Sequence, residues 1–189
     1  MPRTTTLSRD AVLQCALEMA QQNGLDAVGY NGLARELGIR PQSMYRYVSN
    51  ITDLRLLMIR TLLDELVAEI GEAIEGLEPR EALRSFAIAL YDACHARPLY
   101  YQALTLMHEY GLVEDLREQL TGLVGLTSES FAALDPDPAT AARHQQLFMA
   151  INLGYAQMSM TEFLPPSLRD DRALFVTSIE QAVLMFSPA

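Results

Sequence analysis

Lysine is absent from this 189-residue chain, so any charged contact with a phosphate has to come from one of its 14 arginines. Against these stand 24 acids and a net charge of −10, a balance that disfavours nucleic acid as a partner if it is spread evenly. It is not spread evenly. Residues 1 to 60 hold seven arginines against five acids, a surplus of +2, and residues 61 to 189 hold the other seven against nineteen, a deficit of −12. Only the N-terminal third can approach phosphates without repulsion. Cysteine is scarce: Cys15 and Cys94 lie far apart inside helical patterns, which excludes a Cys-x-x-Cys metal site and reads as two buried reduced thiols, with a regulatory disulfide as the alternative. Histidine is scarcer still for metal chemistry, because none of His95, His108 and His144 lies three or four residues from another. No Gly-rich phosphate loop and no Ser-His-Asp arrangement can be placed, so neither enzyme activity, metal nor cofactor is expected. Although half the residues are apolar, no run approaches the roughly 20 uncharged residues of a membrane helix. The opening MPRTTTLSRD lacks an apolar signal core, and the expectation is a soluble, cytoplasmic protein with no membrane partner.

What is present is helical periodicity, with no alternating strand pattern and no internal repeat, so the expected class is all-α. The densest information lies between Asn31 and Asp53, NGLARELGIRPQSMYRYVSNITD. Leu33, Ala34 and Leu37 recur one helical turn apart, and Gly38 supplies the left-handed residue that ends a short helix. Pro41 then suits the first turn of a second helix, where a missing N–H costs nothing. Ile39 and Met44 are placed to pack back, leaving Gln42, Ser43, Tyr45 and Arg46 outside. That layout is a helix-turn-helix, whose second helix presents its N-terminal half to a DNA major groove. Asn50 and Asp53 read as the N-cap and partner of a long helix from about Thr52 to Ile70.

The residues Leu33-Ala34, Leu37-Gly38-Ile39, Ser43-Met44-Tyr45, Tyr47-Val48, Asn50, Asp53-Leu54 and Leu56-Leu57 make residues 8 to 60 resemble the DNA-binding domain of the TetR family of transcriptional regulators. The chain departs from the family at two places. Gly29 and Tyr30 stand where a Thr or Ser pair is usual, and Ile51 stands where a phosphate-reaching Lys is usual. The resemblance implies an N-terminal three-helix helix-turn-helix domain joined by a long helix to a C-terminal helical regulatory and dimerisation domain. The expected division is residues 1–60 and 61–189. The expected DNA face is Arg40, Pro41, Gln42, Ser43, Tyr45, Arg46, Tyr47 and Asn50, with Arg3 on an N-terminal arm.

Elsewhere the chain divides at Gly and Pro. Ser8 caps a first helix that ends at Gly24, with Leu13, Ala16, Leu17 and Ala20 inward. Gly71, Gly76 and Pro79 mark the end of the long helix, and Leu83, Phe86, Ala87, Leu90 and Ala93/Cys94 form the stripe of the next. Pro98 opens a helix closed by Gly111, a seventh segment runs from Leu112 to about Leu134, and Asp135-Pro136-Asp137-Pro138 is a turn. The last two helices are expected at Ala139–Phe163 and Asp170–Phe186. The resemblance implies that they pair with their copies in a second subunit, and Ile151, Phe175, Ile179 and Val183 are the expected contacts. Tyr100, Met107, His108, Phe148, Asn152 and Tyr155 gather aromatic, thioether and a few polar groups, a mixture suited to an apolar effector pocket.

The expected function is therefore a homodimeric, sequence-specific repressor on a pseudo-palindromic double-stranded DNA operator, released by a small, mainly apolar effector. The alternative is a DNA-binding dimer controlled by a protein partner.

Overall fold

The computed structural model describes residues 7–161, 163, 165–169 and 171–186. The arm bearing Arg3, and Asp170 at the expected start of the last helix, lie outside the described residues. Among those described there is no strand. The helices are α1 (Arg9–Asn23), α2 (Tyr30–Glu36), α3 (Ile51–Ile74), α4 (Pro79–Ala96), α5 (Pro98–Glu109), α6 (Arg117–Gly125), α7 (Ser128–Leu134), α8 (Pro138–Met160), the short turn α9 (Pro166–Arg169) and α10 (Arg172–Met185). Two 3₁₀ segments, Leu25–Ala27 and Pro41–Arg46, complete them.

Local chemistry sets most of these boundaries. Ser8 Oγ accepts from the Ala11 N–H at 3.1 Å at the start of α1. Asp137 Oδ2 accepts from the Thr140 N–H at 3.1 Å at the start of α8, and Asp171 Oδ1 from the Leu174 N–H at 2.9 Å at the start of α10. Pro79, Pro98 and Pro138 each occupy the first position of a helix, where the absent N–H leaves nothing unsatisfied. Three expectations need correction. α3 runs through Gly71 to Ile74, because a helical Gly between packed neighbours costs only about 1 kcal/mol and the left-handed turn comes at Gly76, φ 70°. The segment expected from Leu112 to Leu134 divides into α6 and α7, where the Thr127 hydroxyl turns back onto the Val124 carbonyl at 2.9 Å. In α1 it is Val12 that is fully buried with Ala16, Leu17 and Ala20, while Leu13 is half-buried.

The chain forms two compact units, Met1–Leu62 with Gln102–Leu116, and Leu63–Tyr101 with Arg117–Ala189. The first unit therefore includes a stretch of sequence that was expected in the C-terminal body. The stretch is tied there by polar contacts: the Leu25 N–H donates to Gln102 Oε1 at 2.8 Å, and the Arg60 guanidinium donates to the Asp115 carbonyl at 2.9 Å. The Tyr110 hydroxyl meets Asp26, and the Arg55 guanidinium lies over the Tyr110 ring at 4.1 Å. Burial raises the Tyr110 phenol, reinforced by its bond to Asp26, so it stays a neutral donor. The apolar core of this unit is Val12, Ala16, Leu17, Leu33, Ala34, Met44, Val48, Leu54 and Met58, each no more than 6% exposed.

In the second unit α4 packs against α7, α8 and α10. Its stripe Leu83, Phe86, Ala87, Leu90, Ala93 and Cys94 is buried as the periodicity requires. Four rings fill the centre: Phe148 lies 5.7 Å from Phe86, 5.7 Å from Phe131 and 6.1 Å from Phe186 between centroids. Edge-to-face pairing adds to their area burial. Cys94 is fully buried and burial pushes its thiol up to about 12, whereas Cys15 is half-buried. Alkylation with iodoacetamide at pH 8 should modify Cys15 in the native protein and Cys94 only after unfolding, as peptide mapping will show. Phe148→Ala should cost roughly 3–5 kcal/mol of stability in denaturant titrations.

Candidate nucleic-acid interface

The turn between α2 and the Pro41–Arg46 segment is a closed hydrogen-bonded unit. Gly38 has φ 67°, the Gly38 N–H reaches the Arg35 carbonyl at 3.1 Å, and the Ile39 N–H reaches the Ala34 carbonyl at 2.9 Å. This pair of bonds defines a Schellman motif, and its left-handed residue is why Gly stands there. Ala at position 38 would retain the space but not the conformation.

The following segment is a 3₁₀ helix and not the α-helix expected, with the Ser43 N–H on the Arg40 carbonyl at 2.8 Å and the Tyr47 N–H on the Met44 carbonyl at 2.9 Å. A piece this short closes few α-type bonds, so the tighter winding costs it little. Three residues per turn put Gln42 and Tyr45 in one row, Ser43 and Arg46 in a second, and Met44 and Tyr47 in a third. Met44 is completely buried and anchors the segment, joined one turn on by Val48. Arg40, Pro41, Gln42, Tyr45 and Arg46 are exposed, Ser43 and Tyr47 half-buried, and Tyr45 presents 65% of its surface. Of the expected DNA-facing residues, Pro41, Gln42, Tyr45 and Arg46 are thus exposed on this short element with Arg40 just before it, whereas Tyr47 shares the row of buried Met44 and Asn50 lies beyond it.

Two further groups hold that element. Asn50 Oδ1 accepts from the Asp53 N–H at 2.8 Å, capping the head of α3, while Asp53 Oδ2 accepts from the Ser49 N–H at 2.8 Å. Asn50 is exposed, but its carbonyl oxygen is committed to this cap. Arg9 of α1 pairs with Asp53 Oδ1 at 3.2 Å. On the other side, the Tyr30 hydroxyl donates to the Val48 carbonyl at 2.7 Å and its ring lies 5.5 Å from that of Tyr45. Burial raises the Tyr30 phenol, with Tyr45 and Asp53 adding to the effect, which keeps it protonated as that donor. Sequence reasoning noted Tyr30 only as a departure; its proximity to Tyr45, fifteen positions on, has no periodic signature.

A short exposed arginine-bearing element, anchored by a buried Met and preceded by a Schellman turn, is the geometry of a helix-turn-helix, and solved structures share the overall fold. A transcriptional regulator from Rhodococcus sp. Rha1 superposes with a TM-score of 0.76 at 19% identity over 95% of this chain and 96% of that one. A TetR regulator from Streptomyces coelicolor superposes with a TM-score of 0.69 at 19% identity over 95% and 97%. The fold is that of the TetR-family regulators. Two further neighbours were solved as complexes. BioQ, TM-score 0.62 at 18% identity over 93% and 99%, carries its double-stranded DNA operator, and a TetR variant from Acinetobacter baumannii, TM-score 0.68 at 15% identity over 96% and 97%, carries minocycline. In sequence, the chain is 29% identical over 105 residues to an HTH-type transcriptional regulator of Mycobacterium tuberculosis and 25% identical over 118 residues to one of Bacillus subtilis. These matches take in 56% and 62% of this chain and span 48% and 62% of those relatives. No protein-family model matches the chain.

The residues expected at an effector pocket are divided between the two units of this TetR-type fold. Met107, buried, and His108, exposed, belong to the first; Tyr100, Phe148, Asn152 and Tyr155 belong to the second. Phe148 is locked in the ring cluster, and Tyr155 meets Phe175 edge-on at 5.0 Å. Tyr100 accepts from the Arg97 guanidinium at 3.1 Å. Asn152 is 3% exposed; its Nδ2 donates to the Phe148 carbonyl at 2.8 Å, while Oδ1 is buried without a protein donor. Clefts of about 260 Å³, walled by Phe131, Pro136, Pro138 and Ala141, and of about 530 Å³, walled by Ile74, Ala82, Gly122 and Ser130, contain none of the expected residues.

The residues expected to contact a second subunit are also redistributed. Phe175, Ile179 and Val183 are 2%, 0% and 5% exposed within one chain, where α10 packs on α4, so a partner cannot reach them; Ile151 is half-buried. The reason is that α10 is apolar on two sides, and periodicity alone does not say which side turns inward.

Arg46→Ala and Tyr45→Ala should leave the stability within about 0.5 kcal/mol of the parent, whereas Met44→Ala should cost roughly 2–5 kcal/mol in the same denaturant titration.

Proposed function

We propose that the protein is a dimeric, sequence-specific DNA-binding repressor whose operator affinity is lowered by a small, mainly apolar effector. The observation that carries the DNA reading is the exposed set Gln42, Tyr45 and Arg46, with half-buried Ser43 beside them, on a segment held by buried Met44 and flanked by exposed Arg40. Gln and Arg supply the bidentate donors and acceptors that distinguish base edges, and arginine supplies the phosphate attraction in a chain without lysine. BioQ with its operator supports the same use of the fold.

A single segment of this length reads few bases, and a two-fold dimer is the usual remedy. The second apolar sides of the terminal helices support one. Leu147, 46% exposed, shares a face of α8 with Ala150, Ile151 and Gly154; Leu174 and Met185, 42% and 68% exposed, lie on the outer side of α10. Two recognition segments of such a dimer would engage half-sites about 34 Å apart or a multiple of it. An effector acts by favouring a dimer whose spacing no longer matches, and by linkage operator and effector lower each other's affinity by one common factor. Support for an apolar effector with a hydrogen-bond donor comes from the aromatic content of the second unit and the unpaired Asn152 Oδ1. The minocycline-bound TetR neighbour supports small-molecule control.

Selection of bound fragments from random double-stranded DNA should enrich an inverted repeat, and Arg46→Ala should then lose at least tenfold in affinity for it, about 1.4 kcal/mol. Enrichment of no sequence would remove the DNA reading. Leu147→Glu combined with Leu174→Glu should give folded monomers in sedimentation and abolish binding to the full repeat; Ile179→Glu should instead unfold the chain, because it buries a charge inside one subunit.

A further inference from the structure

We propose that Tyr30 is a positioning residue for base recognition, its ring holding the exposed Tyr45 ring in one orientation on the recognition segment. This rests on the DNA-binding reading above and adds a specific device to it. Tyr30 opens α2, and its ring centroid lies 5.5 Å from that of Tyr45 with the planes tilted by 36°. Its hydroxyl is occupied elsewhere, donating to the Val48 carbonyl at 2.7 Å. Val48 is 2% exposed and lies two residues beyond the recognition segment, so the hydroxyl end of Tyr30 rests on a buried part of the chain.

Tyr45 is in the opposite position. It is 65% exposed, its element is a single 3₁₀ stretch, and among the described residues the ring beside it is that of Tyr30. Without a neighbour, an exposed Tyr samples several rotamers about two torsions, and ordering it on a base or a sugar has an entropic cost at the moment of binding. The Tyr30 ring removes part of that freedom beforehand. The bond to Val48 also means that the Tyr30 hydroxyl is not available as the phosphate contact a Thr or Ser hydroxyl would offer at the start of such a helix. The role falls to the ring.

The test uses the full chain and the operator enriched by the wild-type protein, with affinities from fluorescence anisotropy and melting temperatures measured in parallel. Tyr30→Leu should weaken operator binding about tenfold. Tyr45→Ala should weaken it comparably, and the double variant should lose no more than about twofold beyond either single change, because both remove one ordered ring. Fresh selections with Tyr30→Leu and with Tyr45→Ala should relax preference at the same base positions, a result that general destabilisation does not produce. Tyr30→Phe, which keeps the ring, should bind within about twofold of wild type. Should Tyr30→Leu not fold, Tyr30→Met takes its place in the cycle. Losses that multiply to about a hundredfold in the double variant, relaxation at different positions, or a Tyr30→Phe protein as weak as Tyr30→Leu would each overturn the proposal while leaving DNA binding intact. A wild-type protein that enriches no sequence would overturn the DNA reading itself, and this role with it.

Discussion

Burial of Met44 is the interaction on which the N-terminal unit depends. The Pro41–Arg46 segment is too short to be stable by its own hydrogen bonds, and its exposed rows carry polar and aromatic groups that gain nothing from the core. One completely buried thioether side chain, backed by Val48, holds the element down while the remaining side chains face outward. Everything around it fixes direction. The Schellman turn at Gly38 sets the angle at which the chain arrives, and the Asn50/Asp53 cap sets where it leaves. The same apolar anchor thus makes both the fold of the segment and the exposure of Arg46 and Tyr45.

The two units solve different problems with similar helices. In the first, polar groups fasten a distant piece of chain: Gln102 on the Leu25 N–H, Tyr110 on Asp26 and Arg55 on the Tyr110 ring. Such contacts are directional and individually worth little at a surface, so they specify a position more than they supply stability. In the second, four phenylalanines and the α4 stripe supply non-directional apolar burial, and polar side chains are exceptions to be explained. Asn152 is the clearest of these, with one amide group bonded to its own helix and the carbonyl oxygen unpaired. Phe148, beside it, is more easily understood as core than as the wall of a ligand site.

Structural likeness at 15–19% identity fixes the fold of the chain, and the motif residues explain why that fold forms. Specificity is another matter, since it depends on individual side chains and not on the fold. Tyr30 illustrates this: a substitution that looks like the loss of a phosphate contact acquires a partner and a role once the rings of Tyr30 and Tyr45 are seen 5.5 Å apart.

By itself the sequence determined whatever depends on neighbours within a turn or two. Ser8, Gly38, Asn50, Pro79, Pro98 and Asp137 placed helix ends because caps, left-handed residues and missing N–H groups act within four residues. The stripe from Leu83 to Cys94 marked a buried face because 3.6-residue periodicity is local, and the charge split named the arginine-bearing third. Tertiary structure decided what depends on distance in sequence or on choosing between equivalent faces. It drew Gln102–Leu116 to the first unit through contacts 55 to 84 residues apart, and turned Phe175, Ile179 and Val183 inward. It also wound Pro41–Arg46 as a 3₁₀ helix around Met44. A helix that is apolar on two sides carries no local preference for either, so only the packing of the whole chain could choose which side was buried.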